Sequence, residues 1–492
     1  MQTLQTDINN GAAFRKERLI IFIICIVAAI RVFLFTAAFP FFNNVDEQTH
    51  FDLVYKYSKG HLPAAALEKF DPQVAKIIAL NGTAEYFNKE GDKIPASEAD
   101  SVASFFESNY NRETWSWPSF YLLAGLWCRL GISLGLTNAG LLYWIRLLNI
   151  PLVVAIVVLS YKISRKIFSE NQNCRIAVPL MVAFFPQDIF FAITSDVLSP
   201  VVFTLAFLML LEIYMGEKSR LYHLLTGLVV AAAFLTKASN IAIPALSAIV
   251  FLVKIKQAVS QNRLKQYLPS VVLFVFAAAI PVVFWLGRNY ITFGDIIGSA
   301  AAEKERTWTR KPFIETFNHP IFTPKGFLFF LTELTKTFWR GEFIWRTQRL
   351  SHDAADLFYV ISSAVFLIAA LPAVILNKSK AEISRRFALK AALFVVVLSV
   401  IFLVVSSMRY DFGACAYPSR EHPYFTSGRL IAGTIVPFLL VYITGLNYIL
   451  SKLHLKHLLL IITIVIVVGE TLSEIILSLP AFASPCNWFH LK

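Results

Sequence analysis

The sequence predicts an all-α polytopic membrane protein, a single transmembrane domain over residues 1–492 with about 11 spanning helices and further helices in its extracytoplasmic loops. Three observations lead there. Hydrophobic residues make up 57% of the chain, and the mean hydropathy is +0.60. Several apolar runs approach or exceed the roughly 18–20 residues that cross the hydrocarbon core as a helix, and helices are required because every backbone group in lipid must be paired within its own segment. Short loops rich in Lys and Arg alternate with loops that are poor in them, the pattern that marks the cytoplasmic side. This excludes a soluble domain. The net charge of +13 lies mostly in those loops, so it does not point to nucleic acid.

Arg15, Lys16 and Arg18 precede the first apolar run, Leu19–Phe39. Its length, and the lack of an A-x-A-like site after it, make it a retained anchor running outward. Residues 40–137 form the first extracytoplasmic loop, acidic overall and without Arg as far as Tyr110. Pro118–Leu136, with Trp115, Trp117, Tyr121 and Trp127, is expected to lie in the interface or re-enter. If it spanned, Lys162, Arg165 and Lys166 would fall outside. The spans then alternate. Asn138–Ser160 runs inward to Lys162–Arg175, Ile176–Ile193 outward to Ser195-Asp196, and Val197–Tyr214 inward to Lys218 and Arg220. Leu221–Leu235 runs outward to Thr236–Asn240, Ile241–Val253 inward to Lys254 and Lys256, and Leu268–Leu286 outward to Arg288. The second extracytoplasmic loop is 288–353. Leu357–Leu376 runs inward to Lys378, Lys380, Arg385, Arg386 and Lys390, and Ala391–Ser407 outward to a third loop, 408–428. Leu430–Ile449 and Leu458–Leu479 complete the bundle, with the N-terminus cytoplasmic and the C-terminus extracytoplasmic. The arms of the Leu221–Val253 hairpin are short, which sets Lys237 below the outer surface. Cys25, Cys128, Cys174, Cys415 and Cys486 show no metal spacing; Cys415 and Cys486 both face out and could pair.

Ionisable groups at a membrane boundary are costly to bury unless something uses them. Asp46-Glu47-Gln48-Thr49-His50 follows the first span directly, and in a helix Asp46 and His50 would share a face at i and i+4. The pentapeptide is not the HExxH zinc motif. Asp46 and His50 could share a divalent metal, but no third ligand is evident and no cofactor is assigned. With these residues, Asp52, Asp188, Asp196, Lys237, Arg288, Arg340, Arg346, Arg409, Arg420 and Arg429 gather on the outer face, carboxylates from the first half and arginines from the second. A carboxylate can act as general base on an acceptor hydroxyl or amine. Arg and Lys can hold a phosphate that departs with negative charge. Plainer roles stand beside these: a helix cap for Asp196, snorkelling for Lys237, a flanking charge for Arg288, and an interfacial belt rather than a lid over an anionic head group for Trp339–Arg346. Arg429 opens a span on the outer side, against the positive-inside trend. Asn81-Gly82-Thr83 matches a glycosylation sequon, a weak signal.

Taken in order, DEQTHF, GHLP, WPSFYLLAGL, YKISRKIF, SDVL, GLVVAAAFLTKASNIAIPAL, RNYITFGD and YFTSGRLIAGTIVPF resemble the GT-C superfamily of membrane glycosyltransferases. The likeness is to bacterial relatives of the protein-O-mannosyltransferase and lipid A aminoarabinose transferase group. It implies a GT-C-like bundle in a bacterial cytoplasmic (inner) membrane. It also implies hexosyl or pentosyl transfer from a polyprenyl-phosphate donor to a glycan, lipid or protein acceptor on the extracytoplasmic face. By the same resemblance Asp46 or Glu47 is the base or acceptor-orienting group, Asp196 the second acidic position, and Lys237 and Arg429 contact the donor phosphate. His50, Arg288, Arg340, Arg346 and Tyr424 complete the expected substrate-binding set. The chain departs from better-known members in having no large soluble C-terminal domain, and Trp117-Pro118-Ser119 stands where His-Pro-Pro is expected of mannosyltransferases. Sugar and acceptor are therefore left open.

The runner-up is a transporter or flippase of a lipid-linked glycan. Against it, cytoplasmic loops are short and poor in acidic groups, and no span is expected to hold a mid-membrane carboxylate of the proton-relay type. A non-catalytic scaffold in envelope assembly is the third reading, under which Asp46→Asn should do nothing.

Overall fold

The computed structural model describes residues 2–43, 46–87, 96–346, 348–375, 383–415 and 417–490. α1 (Gln2–Ala38) is apolar from Arg15 on and stops at Phe39-Pro40, where the proline ring disfavours a helical predecessor. The first loop holds α2 (Glu47–Ser58), α3 (Pro72–Asn81), α4 (Ala84–Phe87), α5 (Ala96–Ser108) and α6 (Pro118–Ser133). The Asp71 side chain caps α3 by accepting from the Gln73 N–H, with Pro72 at the first helical position. β1 (Glu68–Lys69) pairs antiparallel with β2 (Tyr110–Asn111) and closes this loop on itself. α6 packs on α2, where a Cβ on Gly125 would stand 2.8 Å from the Tyr57 Cβ.

The bundle continues with α7 (Asn138–Leu147), α8 (Asn149–Ile167), α9 (Gln172–Ala183), α10 (Leu198–Met215), α11 (Arg220–Phe234), α12 (Ala242–Ser260) and α13 (Leu264–Phe293). Across the second loop lie α14 (Ala300–Glu305), β3 (Thr309–Arg310), α15 (Pro324–Arg340) and the hairpin β4 (Ile344–Trp345) with β5 (Gln348–Arg349). α16 (Asp353–Ile375), α17 (Ile383–Arg409), β6 (Tyr410–Asp411), α18 (Ile435–Lys452) and α19 (Leu459–Ala483) follow. β3 pairs with β6, so the second and third loops are joined by backbone. α18 lies at the centre of the bundle, with 89% of its apolar window buried. Among the described residues no disulfide forms, and Cys415 and Cys486 do not pair.

Among the described residues nine helices are long and apolar enough to cross a membrane: Arg15–Ala38, Asn138–Ile167, Ser195–Met215, Ala238–Ser260, Leu264–Phe293, Asp353–Ile375, Ser384–Arg409, Gly428–Lys452 and Lys456–Ala483. Arg220–Phe234 is apolar but shorter. The chain is thus an all-α polytopic membrane protein. Three expectations need correcting. Ile176–Ile193 is not one span: α9 ends at Ala183, because Phe185 precedes Pro186 and helical geometry is disfavoured there. The chain instead makes 3₁₀ turns at Asp188–Phe190 and Ser195–Val197. Such backbone is tolerated at this depth only where protein satisfies it. Arg31 donates to the carbonyls of Ala183 and Phe185, Asn149 to those of Phe190 and Ala192, and Glu47 accepts from the Ile193 N–H. Second, α12 is not short; it runs past Lys254 and Lys256 to Ser260, since lysine propagates a helix well. Third, Glu470 and Glu474 do stand mid-span in α19; Glu474 is paired with Arg31 from the far end of the sequence, which no local pattern displays. Leu376, Lys378 and Lys380, expected in a basic loop, lie outside the described residues.

Candidate active site

The adjacent acids Asp46 and Glu47 part company. Asp46 has φ 60°, in the left-handed region that Asp tolerates better than most residues, and it precedes rather than joins α2. As the cap, Asp46 still accepts from the His50 N–H at 3.1 Å through its carbonyl, but its own backbone is not helical, and its carboxylate pairs with Arg429. Glu47 turns inward and is wholly buried. Its carboxylate makes a two-point pair with Arg146 at 2.7 and 2.6 Å and accepts from the Phe42 and Ile193 N–H groups, each at 2.9 Å. Arg146 also donates to the carbonyls of Thr36, Phe39 and Pro40 at the end of α1. Glu47 thus fastens the first loop to the bundle.

Asp46 turns the other way, to Arg429. Arg429 Nη2 lies 3.2 Å from Asp46 Oδ2, and Nη1 3.3 Å from Asp196 Oδ2. The Nε stands 3.5 Å from Glu342 Oε2. Lys237 Nζ pairs with the other oxygen of Asp196. Four segments far apart in sequence meet here with a fifth, the Gly341-Glu342 turn after α15. Asp196 and Glu342 are sealed at 2% and 3% side-chain exposure, while Asp46 is 46% exposed. Asp46 is thus the open carboxylate of the group, and Asp196 its floor.

Local structure explains each placement. Asp196 sits in the 3₁₀ turn before α10, and the Thr194 hydroxyl accepts from its N–H. Lys237 occupies the turn between α11 and α12, held by Asn240, which donates to the Ala233 carbonyl and accepts from Ser199. Arg429 lies in the 3₁₀ stretch Gly428–Thr434 ahead of α18. Only glycine fits at 428: a Cβ there would come within 2.1 Å of the Phe338 N and Cα. The Gly428 N–H bonds Thr337 Oγ1 at 2.9 Å, and the Gln187 amide donates to the carbonyls of Thr337 and Phe338.

Around this node, Ser427 donates to Glu342, and Arg349 lies 3.1 Å from the other Glu342 oxygen. Asp188 accepts from the Glu342 N–H, and a Cβ on Gly341 would strike its carboxylate, at a position where φ is +75°. Burial, with Glu342 beside it, pushes the Asp188 carboxyl up to about 7. His50 Nδ1 and Tyr121 Oη are 2.7 Å apart. Burial lowers the His50 imidazole against the opposing pull of Glu113, Asp46 and Asp196. Glu342 and Ser427 belong to the cluster but were not picked out from sequence; the one hint was an acid inside the aromatic and basic run Trp339–Arg346.

The remaining expected site residues lie elsewhere. Arg288 donates to the Pro63 carbonyl and Asn289, and faces the rings of Trp285 and Phe293. Arg340 is buried in a two-point pair with Asp356 at 2.7 and 3.1 Å, so it anchors α15 to α16 and is not an open cation. Arg346 takes a left-handed turn position between β4 and β5, with φ 47°. Tyr424 is buried among His319, Phe329 and Phe330. Among the described residues no three His, Cys, Asp or Glu side chains group as metal ligands.

The chain is similar in structure to the oligosaccharyltransferase of Archaeoglobus fulgidus in complex with Zn and sulfate, with a TM-score of 0.46, 10% identity, and coverage of 93% of this chain and 53% of that one. It is similar to the apo form of that enzyme, with a TM-score of 0.43, 11% identity, and coverage of 94% and 56%. It is also similar to the archaeal oligosaccharyltransferase AglB from Archaeoglobus fulgidus in complex with an inhibitory peptide and a dolichol-phosphate, with a TM-score of 0.44, 11% identity and the same coverage. The chain spans about half the length of these structures. No curated protein matches it in sequence. One family profile does match, over residues 29–414, and the chain belongs to that family, described as predicted membrane protein (DUF2142).

Proposed function

We propose that this protein is a membrane glycosyltransferase that moves a sugar from a polyprenyl-phosphate donor to an acceptor on the extracytoplasmic face. The observation that carries this reading is the Arg429 guanidinium held between Asp46 and Asp196, with Lys237 on the far side of Asp196. An open carboxylate therefore stands beside two cations whose counter-charges are already in place. The acceptor hydroxyl or amine attacks the anomeric carbon and passes its proton to Asp46. The carbon–oxygen bond to phosphate breaks on the opposite face, inverting the anomeric centre. The phosphate leaves with the bonding electron pair and is received by Arg429 and Lys237. Asp196 keeps those two cations aimed at one point, and Glu342 holds the third side of the guanidinium.

The test is glycosyl transfer in membranes carrying wild type, Asp46→Asn and Glu47→Gln at matched expression, against a panel of polyprenyl-phosphate sugars. Loss of turnover with donor binding retained in Asp46→Asn is the expected result, and unchanged turnover refutes the base assignment. If wild type turns over no donor, the lipid-linked glycan transporter is favoured, and the mid-span carboxylates of α19 then count on its side.

A further inference from the structure

A second set of charges lies away from Arg429, within the spans. Arg31 stands in the apolar part of α1, and Glu470 and Glu474 lie one turn apart near the middle of Lys456–Ala483. Arg31 and Glu474 form a two-point pair, with Nε–Oε2 at 3.0 Å and Nη2 closer still to Oε1. Arg31 Nη1 and Nη2 also donate to the Ala183 and Phe185 carbonyls at the open end of α9, at 3.4 and 3.1 Å. A cation at a helix C-terminus is favourable, so Arg31 and Glu474 balance each other and together close α9.

Glu470 has no part in this arrangement. It is 1% exposed, and neither carboxyl oxygen has a hydrogen-bond partner. α1 sets Arg31 near it, and its own helix sets Glu474 there. α16 brings Tyr359, whose hydroxyl is bonded to Ser473, and α18 brings Tyr442. α9 offers the two carbonyls already taken by Arg31. Two carboxylates thus share one guanidinium, and four of its five N–H donors already go to Glu474 and the two carbonyls. A second anion at this depth would stand uncompensated, at a cost far above that of the neutral acid.

We propose that Glu470 is a proton-binding site inside the membrane, an uncharged carboxylic acid in the resting protein. The proton is the ligand that fits. A metal cation draws on several oxygen ligands, and Glu474, the other carboxylate here, has both its oxygens on Arg31. Holding the proton keeps Glu470 from competing with Glu474 for Arg31, and so keeps the end of α9 closed.

The test is infrared spectroscopy of the purified full chain in lipid nanodiscs at neutral pH, with deuterium exchange, alongside thermal melting. Wild type minus Glu470→Gln is expected to show a carboxylic-acid C=O band that is also present in an Asp188→Asn background, where the half-protonated Asp188 no longer contributes, whereas Glu474→Gln, which frees Arg31 for Glu470, is expected to weaken it. Glu470→Gln is expected to melt with wild type, and Glu474→Gln well below it. A band unchanged in Glu470→Gln means that Glu470 is ionised and overturns the proposal. If Glu470→Gln does not fold, Glu470→Met, neutral and of similar volume, decides by melting. An uncharged site tolerates it, whereas loss of a real anion beside Arg31 lowers the melting temperature.

Discussion

Replacing Glu47 by Gln changes one atom in a pair of adjacent acids, and the structure says what that costs. Glu47 accepts four hydrogen bonds, two on each oxygen, from Arg146 Nε and Nη2 and from the Phe42 and Ile193 N–H groups. An amide nitrogen in place of either oxygen sets donors against two of them, and Arg146, 1% exposed, is left as a buried cation without its counter-charge. Stranding one member of a buried pair costs about 3–5 kcal/mol. The lost hydrogen bonds involve the same atoms, so they are not added to that figure. Out of a total stability of about 5–15 kcal/mol, such a loss is visible in any melt. Asp46→Asn next door differs. Its side chain is half exposed, and Arg429 keeps Asp196 and Glu342, so the cost is about 0–1 kcal/mol. The assay is size-exclusion chromatography of the detergent-purified variants after a series of heat steps. Glu47→Gln should lose its monodisperse peak at a much lower temperature than wild type, and Asp46→Asn should track wild type while losing turnover. Equal melting of Glu47→Gln and wild type, or equal losses in both variants, would refute the division of labour drawn here.

Gly428→Ala places a Cβ 2.1 Å from the Phe338 backbone, so Arg429 must move; turnover should collapse with a fall in melting temperature, and a wild-type melt with full turnover would show that the contact gives way freely. Arg429→Lys keeps the charge but cannot reach both Asp46 and Asp196 as the fork does. Losing one charge-assisted bond of about 1.5–3 kcal/mol predicts a fall in turnover of roughly 10- to 100-fold, read in the same transfer assay. His50 is buried with a lowered imidazole, so the folded chain binds fewer protons than the unfolded one as pH falls. Its contribution to stability is fully present above about 6.5 and is lost as pH drops below that. Melting followed from pH 8 to about 5 should fall more steeply in wild type than in His50→Gln, and parallel curves would refute this. Asp356→Asn strips Arg340 of its buried partner and should lower the melting temperature by an amount comparable to Glu47→Gln, measured in the same heat-step series.

The helical, membrane-crossing class was legible because lipid permits so few backbone arrangements and hydropathy reports burial directly. The misplaced span shows where hydropathy is blind. Ile176–Ile193 is apolar enough throughout, but Pro186 acts on the conformation of Phe185, and a hydropathy average does not register it. At the site, Asp196, Lys237 and Arg429 stood out because each breaks an apolar pattern where a span begins or ends. Glu342 did not, since its place is set by Asp188 and Ser427, 154 and 85 residues away. The roles of Asp46 and Glu47 were inseparable in one dimension. What parts them is a single backbone angle at Asp46 together with Arg146, 99 residues on from Glu47. Glu474 went unremarked for the same reason, since its compensating charge arrives from α1, and Glu470 one turn before it went unremarked with it.

The early stop of α9 also bears on how the chain is assembled. The turn after it, from Phe184 to Ile193, carries backbone that lipid does not accept, and its partners come from both directions in the sequence. Arg31, Glu47 and Asn149 are made before it, but Thr337 and Phe338, which receive the Gln187 side chain, and Glu474, which steadies Arg31, are made some 150 to 290 residues later. As the ribosome delivers it, this turn has its backbone partners already, but the Gln187 side chain and Arg31 do not yet have theirs. α15 and α19 supply those, which makes late helices of the chain the ones that seal an early part of it.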